Sequence, residues 1–447
     1  MGGVASVVEV ALLGAVAAGL GMAEQARLQR ARAAVAVRVH VNGTRGKSTV
    51  TRLLAAALQA SGARVLGKVT GTEARWLLPD GTEEPVRRGA GGATIREQAR
   101  AVVRAARLGC DAAVLECMAL RPELLWVSEH RMVRSTLGVI TNVRDDHGDV
   151  MGRDRAEIAR TLANTIPAGG LLVTGDAAAF PFFAEEARRR KSRAYLASPL
   201  DPARAPATLG AALAWHAPEN LGVAMTAARL LGVDEPTAWR GFAAALVEPG
   251  TAAWTVGRLR DPGAGERSTV LLVDALAAND PDSFRRVMEG ALAACPPAAG
   301  FELRVIYHHR ADRSERAGRF GGRLPEVLRS VGSEHPARVW ATGDRGGARL
   351  LGAGACQGPG APGLLLARWG VEPGAGGGAD EAPGGRPGEG SGGDPGSTRP
   401  HVVVVACGNT RGARSWQEGY GPWQPVPLGR AAGAGEPAAA EGGVAGG

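Results

Sequence analysis

Apolar residues recur along this chain with two different periods. From Val35 to Val41 valine occupies every second position, the period of a strand, whereas Val50, Leu53, Leu54, Ala57 and Leu58 within Ser48 to Ala60 share one face of a helix. The stretches Ala112 to Glu116, Gly138 to Val143, Val270 to Asp274, Leu303 to Tyr307 and Val402 to Ala406 are short apolar runs, the pattern of strands covered on both faces of a parallel sheet. Strands alternating with helical segments predict an α/β chain, and 447 residues predict two or more domains.

The ends of the chain read differently. Val4 to Met22 is apolar apart from Glu9, close to the length that spans a bilayer, and Arg27, Arg30, Arg32 and Arg38 follow it. This predicts a single N-terminal pass in the cell membrane with the globular part cytoplasmic; a helix lying on the protein or on the membrane surface is the alternative. The expected organisation is a membrane anchor and basic flank over 1–32, a central domain over 33–245 and a C-terminal α/β domain over 250–425. Within the last, about 370–400 is nearly all Gly, Pro, Ala, Glu and Asp, which predicts a disordered insertion, and 431–447 predicts a disordered tail.

The chemistry is concentrated where the alternating strand meets the first helix. His40-Val-Asn-Gly-Thr-Arg-Gly-Lys-Ser-Thr-Val50 places a Gly-rich turn and a Lys-Ser pair between them, so that backbone N–H groups and the positive helix end face phosphates. Gly43, Thr44, Arg45, Gly46, Lys47, Ser48 and Thr49 are the candidate nucleotide-binding residues, with Lys47 on the β/γ-phosphates of ATP and Ser48 on Mg²⁺. The general phosphate-loop pattern asks for Gly where this chain has Val41. Glu116 and His147, each at or just beyond the end of an expected strand, suit a divalent metal beside a triphosphate.

The short loop form Gly43 to Ser48 resembles that of the Mur ligase superfamily, which joins amino acids by ATP-driven amide bonds. Further blocks, Lys68-Val-Thr-Gly-Thr-Glu-Ala-Arg75, Glu116-Cys-Met-Ala119, Asp146-His147 with Asp149-Val-Met-Gly152, Ala277-Ala-Asn-Asp280 and Arg310-Ala-Asp-Arg313, make the chain similar to the ligase subunits of bacterial poly-γ-glutamate synthases (PgsB/CapB) from about residue 38 to 320, with a fainter echo at Gly408-Asn409. The resemblance implies a Mur-ligase-like ATPase domain with a parallel sheet, a mobile C-terminal α/β domain, and a reaction in which ATP phosphorylates a carboxylate that the amine of glutamate then attacks. It implies Lys47, Glu116 and His147 as catalytic residues and Ser48, Glu116 and His147 as metal ligands. Asn220 resembles the asparagine that contacts adenine, with a helix N-cap as its other reading. Arg310, Asp312 and Arg313, with Asn279 and Asp280, are candidates for holding glutamate.

The implied partners are a poly-γ-glutamate acceptor and small membrane subunits of a synthase complex. Two departures stand out. Trp254 falls near a position where the family carries arginine, leaving Arg258 as a replacement, and none of Lys47, Lys68 and Lys191, the only lysines, fits the carbamylated lysine of many Mur ligases. A Mur-like ligase acting on a folate-like or peptide acceptor, and a membrane-tethered nucleotide-binding scaffold, are the competing functions.

A formal charge of +8 suits ATP and a polyanionic product. Nucleic acid is not expected: with three tyrosines and seven phenylalanines the chain offers few stacking platforms, and Arg188 to Lys191 reads as a solvated helix face. The five cysteines show no C-x-x-C spacing and fit reduced thiols, while His308 and His309, adjacent in a strand, point to opposite faces.

Overall fold

The computed structural model describes residues 2–425 except 71–73, 90–91, 145–149, 210–212, 214–215, 246–252, 261–266, 277, 279, 312–313, 331–336, 353–354, 359–361, 370, 374–399 and 408–423. The chain forms two compact units, Met1–Glu248 and Pro249–Gly447. The stretches expected to be disordered, most of 370–400 and all of 431–447, and the echo at Gly408-Asn409 lie outside the described residues.

In chain order the first unit comprises α1 (Gly2–Ala34), β1 (Val37–Asn42), α2 (Lys47–Ala60), β2 (Val65–Val69), β3 (Arg75–Leu77), β4 (Glu83–Pro85), α3 (Arg96–Arg107), β5 (Ala112–Glu116), α4 (Pro122–Val127), β6 (Leu137–Ile140), α5 (Arg155–Leu162), β7 (Leu171–Thr174), α6 (Phe180–Arg189), β8 (Arg193–Leu196), α7 (Pro218–Leu230) and α8 (Glu235–Ala244). They build one sheet in the order β4-β3-β2-β5-β1-β6-β7-β8. Strands β2, β5, β1, β6, β7 and β8 run parallel, and β3 and β4 are antiparallel additions at one edge.

Strand alternation divides the core between the two faces. Val39, Val41, Val114 and Val139 pack with Leu53, Leu54 and Ala57 of α2, Leu221 and Ala224 of α7, and Phe242 of α8. On the other face Leu66, Ala113 and Leu115 meet Ala101, Val102 and Ala105 of α3 and Leu28 and Ala31 of α1. Because β1 has β5 on one side and β6 on the other, the chain changes winding direction there, and the carboxyl ends of these strands open a crevice.

Among the described side chains of α1, only those of its C-terminal part are packed. Leu12, Leu13, Val16, Leu20 and Met22 are exposed, and the side chains of residues 4–8 and 10 in the expected membrane segment lie outside the described residues. Among the described residues no helix is long and apolar enough to cross a membrane.

The second unit contains β9 (Ala253–Arg260), β10 (Arg267–Ala275), α9 (Pro281–Ala294), β11 (Glu302–His309), α10 (Ser314–Ser330), β12 (Arg338–Gly343), α11 (Gly347–Leu351), β13 (Ala355–Gln357), α12 (Pro362–Arg368), β14 (Val371–Pro373), β15 (Val402–Cys407) and β16 (Gln424–Pro425). Its sheet runs β13-β12-β11-β15-β10-β9-β14, with β16 also on β9. One face packs against Phe284, Met288, Phe320 and Leu324, the other against Leu365 and Leu366.

Candidate active site

The turn between β1 and α2 is held from two sides. Gly46 at the N-terminus of α2 has φ 80° and Gly43 has φ 125°, both in the region that side-chain-bearing residues avoid. A Cβ on Gly43 would lie 2.0 Å from Thr141 Oγ1, and one on Gly46 would lie 2.3 Å from Asn220 Oδ1. The loop is therefore clamped between the end of β6 and the first turn of α7.

Hydrogen bonds fix that clamp. Asn142 Oδ1 accepts from Arg45 N at 3.1 Å and from Thr44 Oγ1 at 2.7 Å, Asn142 Nδ2 donates to Arg45 O at 3.0 Å, and Thr141 Oγ1 donates to the same carbonyl at 2.6 Å. These contacts explain why β6 stops at Ile140 instead of continuing to Val143: Thr141 and Asn142 turn to the loop. Lys47 Nζ folds over the loop, donating to Gly43 O at 2.8 Å and Thr44 O at 3.3 Å.

Glu116 comes from the end of β5 beside this loop. Ser48 Oγ donates to Glu116 Oε2 at 2.9 Å, and Thr70 N donates to the same oxygen at 2.6 Å. Glu116 is 3% exposed, so the carboxylate is buried against the hydroxyl and amide that orient it. An aligned serine hydroxyl and carboxylate are the hard oxygen donors that suit Mg²⁺ or Mn²⁺. No group of three His, Cys, Asp or Glu side chains gathers around a metal-sized space among the described residues. The expected third ligand, His147, lies outside them.

Behind Glu116 stands a charged cluster without a role assigned from sequence. Lys68, fully buried in β2, donates to Glu97 Oε2 at 3.0 Å, and Arg88 Nε meets Glu97 Oε1 at 2.8 Å. Burial pushes the Lys68 ammonium below its ordinary pKa, opposed by Glu97 and Glu116. Gln98 Nε2 donates to Glu116 O at 2.8 Å, so consecutive residues of α3 grip the strand that carries the carboxylate and the lysine beside it.

A second buried network lies under β1. His40 Nδ1 is 2.8 Å from Glu129 Oε2, and Glu129 Oε1 accepts from Ser135 N at 2.8 Å and Ser135 Oγ at 2.9 Å. Burial alone pushes the His40 imidazole down, but Cys117 and Glu129 together outweigh it and raise the pKa to about 10. His216, just ahead of α7, is buried with Nε2 unpartnered among the described residues, and burial depresses it to about 4, leaving it neutral at physiological pH.

The remaining sequence candidates are distributed as follows. Asn220, in the first turn of α7, abuts Gly46; Ala217 occupies the N-cap, so Asn220 is not that cap. Asp280 caps α9, accepting from Ser283 N at 2.9 Å and Ser283 Oγ at 2.7 Å. Arg310 follows β11, where the neighbouring Ala311 N donates to Asp344. Asn279, Asp312 and Arg313 lie outside the described residues. Trp254 and Arg258 both stand on β9. Arg188 and Arg189 pair with Glu185 and Glu186 of their own helix, as a solvated face should.

Comparison with known proteins bears on the family and the fold. Residues 41–209 match the Mur ligase middle domain, and 260–350 match the poly-gamma-glutamate synthase CapB C-terminal domain. The chain is 36% identical over 273 residues to the capsule biosynthesis protein CapB of Bacillus anthracis, covering 60% of this chain and 56% of that protein. The match thus spans little more than half of that relative. It is 35% identical over 307 residues to PGA synthase CapB of Bacillus subtilis (strain 168), covering 67% of this chain and 74% of that protein. Among solved structures, a bifunctional folylpolyglutamate synthase/dihydrofolate synthase with Mn, AMPPNP and L-glutamate bound aligns with a TM-score of 0.52 at 16% identity over 86% of this chain and 91% of that one, a likeness of fold. With the two domains in order and that coverage of the Bacillus subtilis relative, the chain belongs to the CapB family of Mur-ligase-like proteins.

Proposed function

We propose that this protein is an ATP-dependent ligase that forms γ-glutamyl amide bonds in poly-γ-glutamate synthesis and releases ADP and phosphate. The observation that carries the reading is the 2.9 Å contact between Ser48 Oγ and Glu116 Oε2 at the mouth of the glycine-clamped loop. It supports the reading because a hydroxyl and a carboxylate side by side at the end of such a loop are suited to a metal beside the phosphates of a nucleotide.

In this reading the loop amides and Lys47 hold the β- and γ-phosphates, Lys47 leaving its Gly43 and Thr44 carbonyls to do so. Ser48 and Glu116, with His147, would hold Mg²⁺, which when bound neutralises phosphate charge. The terminal carboxylate of the acceptor attacks the γ-phosphorus and ADP leaves. The amine of glutamate then attacks the acyl carbon, the C–O bond to phosphate breaks, and the amine loses a proton as the amide forms. Positioning supplies most of the acceleration. Asn220 serves the adenine, and Arg310 and Arg313, with Asp312, Asn279 and Asp280, are assigned to the incoming glutamate. The apolar part of α1 associates the protein with the membrane and with membrane subunits of a synthase.

The test is product analysis. Membranes containing the protein and its partners, incubated with ATP and isotopically labelled glutamate, should yield γ-linked glutamate by mass spectrometry and one ADP and one phosphate per bond. Stoichiometric AMP and pyrophosphate would replace the acyl-phosphate mechanism with adenylation.

A further inference from the structure

Beside the candidate active site the first unit carries a pocket of about 370 Å³ lined by Trp76, Glu84, Arg87, Glu97, Arg100 and Arg104, among others. Topology puts it close to Glu116. β3 and β4 are antiparallel, with Arg75 opposite Pro85, and Val69 of β2 is also opposite Arg75, so residues just after Pro85 lie at the end of the sheet where Thr70 meets Glu116. The first turn of α3 reaches the same place: Gln98 binds the Glu116 carbonyl while its neighbour Glu97 lines the pocket.

The charge of this pocket is only partly neutralised locally, and at the start of its helix Arg96 pairs with Glu24. Arg96, Arg100, Arg104 and Arg107 follow each other at three- and four-residue spacing along α3, and Glu97 is the only acidic residue of that helix. Glu97 is turned inward to Lys68 and Arg88. Arg104 pairs with Glu84 and lies 4.8 Å over the Trp76 ring, while Arg87 and Arg100 make no ion pair among the described residues. In α6, by contrast, Arg188 and Arg189 are both matched by Glu185 and Glu186 one turn away, as Arg87 and Arg100 are not.

We propose that this pocket and the arginine row leading from it bind the acidic acceptor chain, the carboxylates of residues preceding the one being extended lying on Arg87 and Arg100. The assignment rests on the ligase reading above. An α-helix rises about 1.5 Å per residue, so Arg100 to Arg107 provides a basic track about 10 Å long pointing away from the strand ends. Guanidinium forks suit successive carboxylates, and the edge of Trp76 fits the intervening methylene groups. A polyanion held there has its terminus near Glu116 and its body outside the catalytic crevice.

The experiment uses full-length protein and two titrations. Fluorescence anisotropy of a labelled γ-linked oligoglutamate gives acceptor affinity, and a fluorescent ATP analogue gives nucleotide affinity. Arg87→Ala/Arg100→Ala should weaken oligoglutamate about tenfold or more, with the nucleotide dissociation constant within about twofold of the parent. Arg87→Lys/Arg100→Lys should recover part of the loss, and added salt should weaken the parent complex more than the double-alanine variant. Equal oligoglutamate affinity in the parent and the alanine variant overturns the proposal. So does an arginine-dependent affinity for anionic phospholipid vesicles with none for oligoglutamate, which makes the row a lipid-headgroup surface. If oligoglutamate binding depends on these arginines but product analysis finds no γ-glutamyl bond, the site stands and the ligase reading fails; if bonds form and the arginines do not affect oligoglutamate affinity, the reverse holds.

Discussion

Replacing Gly46 by alanine separates two roles of the glycine, and Gly62 provides the control. Both flank α2 and both have positive φ, 80° and 92°, but a Cβ on Gly62 would meet nothing within 4 Å, whereas one on Gly46 would fall 2.3 Å from Asn220 Oδ1. The left-handed backbone costs a side-chain-bearing residue about 1–2 kcal/mol, so Gly46→Ala and Gly62→Ala should each lose that much stability in urea denaturation. The extra contact at Gly46 involves the end of the Asn220 side chain, which can rotate away. Its cost should therefore appear mainly in function, as Asn220 leaves its place against the loop. Losing one hydrogen bond to the nucleotide is worth about 1.4 kcal/mol, or about tenfold in affinity. Titration with a fluorescent ATP analogue should give Gly62→Ala near the parent value and Gly46→Ala about tenfold weaker or worse, with Asn220→Ala alone reproducing most of the loss. Gly46→Ala binding nucleotide as tightly as Gly62→Ala would refute both the clamp and the role of Asn220.

Other outcomes follow from the same geometry. Lys47→Ala should reduce ATP turnover by about 100-fold or more without lowering the thermal midpoint, since its contacts are to loop carbonyls and its action is on the transition state; turnover within a few-fold of the parent removes Lys47 from catalysis. The raised His40 pKa means that this group's stabilisation is complete below its unfolded value near 6.5 and is lost as pH rises through about 10, so the unfolding free energy from urea titrations should fall across that window by on the order of a few kcal/mol. Glu129→Gln should flatten that slope, and an unchanged slope assigns it elsewhere. Deleting residues 1–22 should move the protein from the membrane to the soluble fraction with nucleotide binding retained, because Leu28 and Ala31 keep the packed part of the helix; persistence in membranes lacking its partners counts against the anchor.

What could be read from sequence and what could not divide along a physical line. β1, α2 and β5 were visible because burial on one or both faces imposes a period within a few residues. Glu116 was visible because a carboxylate that ends an apolar run stands at the carboxyl edge of a parallel sheet, where ligands bind. Asn142 was not. Its importance lies in bonds to Thr44 and Arg45, nearly one hundred positions away, and no local period records them. The strand expected to reach Val143 ends at Ile140 for the same reason. Lys68 stood inside a recognisable block, but only the fold reveals that it is completely buried and shares a carboxylate with Arg88. Asn220 had two readings in sequence, and its position against Gly46 instead of at the cap decides where it sits.

The dependence of the Gly43 to Ser48 loop on Thr141 and Asn142 also orders the birth of the protein. A chain emerging from the ribosome has the complete Gly43 to Ser48 sequence long before the residues that shape it exist. Until residue 142 has left the exit tunnel, the amides of Thr44 and Arg45 lack the Asn142 carbonyl and side-chain oxygen that receive them, and nothing fixes the backbone of the turn's two permissive glycines. Translation at about 5–20 residues per second therefore imposes a delay of several seconds between synthesis of the loop and its first competence for nucleotide. Nucleotide capture on translating ribosomes should begin only with nascent chains that expose β6.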